Sequence, residues 1–290
     1  MKPARSEFIP VRGLQYHIRH WGDQDAPVLF MLHGWMDVSA SFQFLVDALQ
    51  RDWHVIAPDW RGFGLSDRAG SSYWFPDYLA DLDAILMHYS PAAAVHLLGH
   101  SLGANVAGIY AGVRADRVKQ LVMLEGFGMP VTKPDEAPAR YAQWLDQVRK
   151  PQGMHGYATQ AGVAARLKKN NPRLSDERAA FLAAHWAAPN ASGAWEILAD
   201  PLHKLPNPNL YRVEEVMACW QRIAAPVLWV EARDSELLAR MGSPEIARAE
   251  IDRRIANIQD VTILMVDGAG HMLQHDQPEI VAHAIDHFLD

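Results

Sequence analysis

A serine set between two glycines, in Gly99-His100-Ser101-Leu102-Gly103, is the part of this sequence best suited to chemistry. An apolar run, Val95-His96-Leu97-Leu98, leads into it, and a helix-period stretch, Ala104–Val113, leads out. A strand that turns straight into a helix leaves little room at either end of the turn, and both ends are glycine. The central side chain is thrust out at the carboxyl end of the strand. It lies beside the first N–H groups of the helix, where developing negative charge is favoured. A hydroxyl in that position becomes a nucleophile once a general base stands beside it. The competing view, a chance pentapeptide in a strand–helix turn, has the flanking elements against it.

Other chemistries fit poorly. One cysteine, Cys219, excludes an internal disulfide and a Cys-rich zinc site. Among 14 histidines, the i,i+4 spacing of a metal pair occurs at His96/His100, His271/His275 and His283/His287. None of these reads H-E-x-x-H, and no third ligand lies near. No G-x-G-x-x-G opens the first helix, and the R-G-F-G at Arg61–Gly64 lacks a third glycine. No metal, nucleotide or other cofactor is expected. Lys and Arg total 27 and Asp and Glu 34, a net charge of −7 with histidine neutral. That balance argues against nucleic acid and against a polybasic membrane surface. The 290 residues include 10 Trp, 9 Phe and 8 Tyr, as in a packed globular protein. Residues 1–7 lack the apolar run of a signal peptide, and no stretch reaches the roughly 18 apolar residues of a membrane span. A soluble, cytoplasmic protein acting on a small molecule is expected, with homo-oligomerisation left open.

Holding Ser101 in place needs a sheet. The runs Val28–Leu32, His54–Ala57, Val95–Leu98 and Leu121–Leu124 are short, continuous and bounded, as parallel strands buried on both faces are. Helix-period stretches at 41–50, 77–90 and 103–113 alternate with them, which predicts an α/β class with a mostly parallel central sheet flanked by helices. Glu7–Arg12 and Leu14–His20 predict an antiparallel hairpin around Gly13 at the sheet edge. Residues 127–222 show no convincing buried strand. They carry Trp144, Trp186, Trp195 and Trp220 in helical stretches broken by proline. Strands resume at Pro226–Val230 and Val261–Val266, joined by a helix near 244–258, and Pro278–Leu289 forms the last helix. The expected domains are a core, 1–126 with 223–290, and a helical cap, 127–222. Insertions this long are rare without a role, and a lid over a ligand site is the natural one.

These motifs together resemble the α/β-hydrolase fold family in its serine-nucleophile form, from about Val11 to the C-terminus. His33-Gly34-Trp35 stands where the family has its oxyanion loop. Asp59-Trp60-Arg61-Gly62-Phe63-Gly64-Leu65-Ser66 matches its D-x-R-G-x-G-x-S turn, and Gly268-Ala269-Gly270-His271 its histidine loop. Within the family, spacing and cap composition resemble the serine hydrolase-like proteins and bacterial carboxylesterases. The resemblance implies Ser101 as nucleophile, His271 as base and later acid, and the backbone N–H groups of Leu102 and Trp35 as the oxyanion hole. His33, Asp59 and Arg61 are expected to hold loops rather than react. His100 is expected to turn away and pack. Trp35, Phe127, Met129 and Trp144 are the candidate substrate contacts, which suggests an apolar substrate.

The third member of the triad is open between two carboxylates. Counting from Pro226, the family's usual acid position falls on Ser235, with Asp234 one residue early. Glu125 ends the strand Leu121–Leu124, where haloalkane dehalogenases and certain epoxide hydrolases carry a glutamate. Glu125 is the favoured candidate. Dehalogenase and epoxide-hydrolase chemistry is itself disfavoured, because those relatives use aspartate where Ser101 stands. The expected activity is carboxylic-ester hydrolysis. Carbon–carbon, thioester or lactone hydrolysis at the same site, and a hydrolase-like binding protein, are the alternatives.

Overall fold

Strands buried on both faces need helices on both sides of their sheet. The computed structural model, which describes residues 1–70 and 72–289, has that arrangement. Strands β1 (Ala4–Val11) and β2 (Leu14–Trp21) form the edge hairpin. Then follow β3 (Val28–Leu32), α1 (Gln43–Ala48), β4 (His54–Pro58), α2 (Phe75–Tyr89), β5 (Val95–His100), α3 (Leu102–Val113) and β6 (Val118–Leu124). The insertion carries α4 (Ala137–Arg149), β7 (Gly156–Tyr157), α5 (Gln160–Asn170), α6 (Asp176–Trp186), β8 (Ala187–Pro189) and β9 (Trp195–Ile197). Then come α7 (Val213–Trp220), β10 (Val227–Ala232), α8 (Pro244–Ile255), β11 (Val261–Val266), α9 (Leu273–Asp276) and α10 (Pro278–Phe288).

The large sheet has the order β1-β2-β4-β3-β5-β6-β10-β11. All neighbours from β4 to β11 run parallel, and β2 is antiparallel to both β1 and β4. One core layer packs α2, α3, α7 and α8 on one face through Leu82, Val106, Trp220 and Ile251. The other packs α1 and α10 on the opposite face through Leu45, Val281 and Ile285. Because the strands are parallel, their carboxyl ends and following loops gather at one edge, where α/β folds place ligands. No helix among the described residues is long and apolar enough to cross a membrane.

The 127–222 segment differs from an all-helical insertion in two ways. Strands β7, β9 and β8 form a small antiparallel sheet, in that order. Each is only two or three residues long, too short to register as a period-2 pattern. In addition, α7 is a core helix: Trp220 is fully buried, and a Cβ on Gly112 of α3 would lie 1.9 Å from the Cys219 carbonyl oxygen. Only glycine lets the two helices approach that closely. The insertion is tied down at its far end, where Gly64 N–H donates to Leu198 O at 2.7 Å and Asp200 N–H donates to Gly62 O at 2.7 Å.

Candidate active site

The turn between β5 and α3 is as tight as its glycines imply. A Cβ on Gly103 would sit 2.0 Å from the Leu32 carbonyl oxygen, and one on Gly99 would sit 2.4 Å from Ala104 N. Ser101 adopts φ 53° and ψ −113°, a conformation that L-residues rarely take and that a packed surround must enforce. Its Oγ–H donates to His271 Nε2 at 3.1 Å, and His271 Nδ1–H donates to Glu125 Oε2 at 3.2 Å. Three loops, after β5, after β11 and after β6, thus deliver one chain of hydrogen bonds. Leu102 is the first residue of α3, so its N–H has no intrahelical acceptor and points out beside Ser101. Gly34 packs so closely that its Cβ would lie 3.2 Å from that of Ser101, which brings the His33-Gly34-Trp35 loop against Ser101.

Glu125 is the acid that reaches the histidine. It is buried and itself held at φ 54°. Ala232 N–H donates to Oε1 at 2.7 Å, and the Ser235 hydroxyl donates to Oε2. Burial raises the Glu125 carboxyl above its ordinary value, against the pull of His271 and Ser235. Asp234 goes elsewhere: its Oδ2 accepts from Arg173 Nη2 at 2.8 Å on the half-exposed surface. Ser235, where the resemblance implied the family's usual acid, donates to Glu125 on the neighbouring strand's end. That role was invisible in the sequence count, which registered only the missing charge. Glu236 was missed too; its Oε2 accepts from His271 N–H at 3.3 Å.

A family model described as alpha/beta hydrolase fold matches residues 27–278. The chain belongs to the alpha/beta hydrolase family. It is similar to a serine hydrolase-like protein of Danio rerio, 28% identical over 100% of this chain and 90% of that one. It is also similar to a 2-(acetamidomethylene)succinate hydrolase of Mesorhizobium japonicum, 25% identical over 98% of this chain and 95% of that one. Among solved structures, a thioesterase domain from the curacin biosynthetic pathway superposes with a TM-score of 0.84 at 23% identity, covering 98% of this chain and 99% of that one; the likeness is one of fold.

In this alpha/beta hydrolase, His33 holds its own loop, His33-Gly34-Trp35. Its Nδ1–H donates to Gly34 O at 2.7 Å and its Nε2 accepts from Trp60 N–H at 2.9 Å. Those bonds fix one neutral tautomer, and burial pushes the imidazole down to about 4. Asp59 accepts from Ser39 N–H at 2.6 Å and Leu65 N–H at 3.0 Å, while Arg61 pairs with the buried Asp81. His100 departs from the expectation that it packs facing away. Its Nε2–H donates to the His271 carbonyl oxygen at 2.8 Å, and the two rings lie 4.8 Å apart. Side-chain alternation along β5 ends where Ser101 leaves the extended conformation, so strand parity no longer sets the direction of its neighbour.

A cavity of about 410 Å³ opens on Ser101 and His271. The core supplies Trp35, Met36, Asp37 and Met272; the insertion supplies Met154, Leu167, Leu174, Leu182, Trp186 and Ile197, with Arg166 and Lys204. Trp186 Nε1–H donates to Met36 O at 2.7 Å, so the insertion also braces the loop that follows β3. Trp35 is the one sequence-derived contact on this wall. Phe127 is buried in the core, 6.1 Å from the Trp229 ring, because Arg254 Nη1 binds the Phe127 and Met129 carbonyls and pins that segment against the core. Met129 is exposed, and Trp144 lies against Trp74 on α4, which buries none of its residues. Among the described residues no group of three or more His, Cys, Asp and Glu could hold a metal ion.

Proposed function

We propose that this chain is a serine-dependent carboxylic-ester hydrolase. The observation that carries the reading is the continuous relay Ser101 Oγ–H to His271 Nε2 and His271 Nδ1–H to Glu125 Oε2, at 3.1 and 3.2 Å. His271 takes the Ser101 proton as the oxygen attacks the carbonyl carbon. The tetrahedral oxyanion is received by the Leu102 and Trp35 N–H groups. His271 returns the proton to the departing alkoxide, so the alcohol leaves and an acyl-serine remains. Water, deprotonated by the same imidazole, then releases the acid and restores Ser101. Glu125 keeps the proton on Nδ1 and stabilises the imidazolium; it does not take that proton.

The relatives' names give different activities, so the reading of the bond cleaved rests on the site. Incubation with a fluorophosphonate followed by intact mass is the test. The wild-type protein is expected to gain one phosphonyl group and Ser101→Ala none, with the variant's fold checked by circular dichroism. A p-nitrophenyl ester panel should show turnover that Ser101→Ala abolishes. Labelling that persists in Ser101→Ala would refute the nucleophile.

A further inference from the structure

The chain as a whole is acidic, with a net charge of −7, yet the cavity at Ser101 is bordered by two cations, Arg166 of α5 and Lys204. Its one carboxyl side chain, Asp37, is buried, and burial pushes it up to about 7, so it contributes only part of a negative charge at neutral pH. Three basic side chains nearby that do not line the cavity have partners. Lys168 pairs with Asp176, Arg173 with Asp234 at 2.8 Å, and Arg178 lies 3.8 Å from Glu279. Among the described residues, Arg166 has no ion pair or hydrogen bond, and Lys204 donates only to the Gly153 carbonyl oxygen at 3.1 Å. Positive charge in a concave, partly apolar wall focuses the field on whatever enters. A guanidinium fork matches a carboxylate in shape as well as charge, and an ammonium adds a second donor.

We propose that the cavity takes an ester whose acyl part carries a carboxylate, bound by Arg166 and Lys204 while the ester carbonyl lies at Ser101. This deepens, and rests on, the serine-hydrolase reading of the same site. The apolar side chains of the wall then pack the spacer between the two functional groups.

Two measurements test it. The first is the ratio of kcat/KM for the p-nitrophenyl monoester of glutaric acid to that for p-nitrophenyl butyrate. A ratio of at least about tenfold is expected, since a charge-assisted pair contributes on the order of 1.5–3 kcal/mol. Arg166→Gln and Lys204→Gln should each lower that ratio several-fold. Lys169→Gln makes the same charge change about one turn along α5, outside the cavity lining, and should not move it. The second is calorimetric binding of glutarate against butyrate, which needs no turnover. Glutarate should bind at least about tenfold more tightly, with the difference lost in Arg166→Gln. A ratio near one in both assays, or a ratio that Lys169→Gln lowers as much as Arg166→Gln does, overturns the anion site. Glutarate binding without fluorophosphonate labelling of Ser101 would instead overturn the hydrolase reading and leave the anion site standing.

Discussion

In the proposed mechanism Glu125 serves the relay only while it is ionised, and its surroundings set when that is. Burial raises its carboxyl; the Ser235 hydroxyl and the Ala232 amide, both donating to it, pull it back. Activity therefore stands above the Glu125 pKa and is lost as pH falls through it. Ser235→Ala removes one donor to the charged form, so the acid limb of kcat/KM is expected to move to higher pH. A limb unmoved in that variant would mean the hydroxyl does not tune the acid. Removing the orienting carboxylate should be far more severe. Glu125→Gln is expected to cut kcat on the order of 10⁴-fold, as triad carboxylates do, whereas Asp234→Asn loses only a surface pair with Arg173. Steady-state kinetics on the two folded variants decides between them, and a crippled Asp234→Asn would reverse the assignment. In the sequence the choice rests on Glu125 ending the Leu121–Leu124 strand, where the resemblance places some members' glutamate, and on the usual position falling on Ser235. Two partners were not legible, because Ser235 and Glu236 act through hydrogen bonds that bridge more than 30 residues.

At the scale of elements, the insertion does more than roof the cavity. Met36 sits at φ 59° in the loop after β3, which carries the proposed oxyanion donor Trp35, and Trp186 of α6 donates to its carbonyl. Trp186→Phe keeps most of the ring and removes that donor. The strained loop loses its brace, and kcat is expected to fall about tenfold, with about 1 kcal/mol lost in stability. A variant with reduced stability but normal kcat would restrict Trp186 to packing. The elbow is less forgiving. A Cβ at position 103 meets the Leu32 carbonyl at 2.0 Å, which backbone cannot yield cheaply. Gly103→Ala should destabilise by about 3 kcal/mol or more, visible as a lowered denaturant midpoint. The buried strands were legible because each is a continuous apolar run closed by a turn residue. The start of β6 was not, because Lys119 and Gln120 interrupt the run. The insertion was legible only as an interruption. Its short strands leave no periodic trace, and its contacts with the core, such as Asn171 Nδ2 to Asp276 Oδ1 at 2.7 Å, join segments about a hundred residues apart.

Across the whole molecule, imidazoles are buried and held neutral, among them the four of His33, His100, His203 and His275. Burial pushes His33 and His275 down to about 4 and His203 to about 3, and holds His100 well below its ordinary value. Each binds a proton on unfolding but not in the folded state. Their contribution is complete above the unfolded value near 6.5 and is lost as pH falls towards the folded ones. Asp59, drawn down to about 2 by its hydrogen bonds with His17 and Leu65 against the cost of burial, adds a further loss below its unfolded value of 3.8. Asp37 works the other way: pushed up to about 7, it favours the fold as pH falls from 7 towards 3.8. Near pH 5 four imidazoles oppose one carboxyl, a net uptake of about three protons on unfolding. That corresponds to about 4 kcal/mol per pH unit from these groups, enough to unfold a domain of ordinary stability within two units. Calorimetric scans from pH 8 to 4.5 should show a level transition above pH 7 and a steep fall below 6. A transition temperature unchanged between pH 7 and 5 would mean these rings are not held neutral. The same argument separates two causes of acid inactivation. Loss of an ionised Glu125 reverses at once when pH is restored to 7.5. Protonation of the buried rings accompanies unfolding, so activity returns only at the rate of refolding, and a pH-jump assay resolves the two phases.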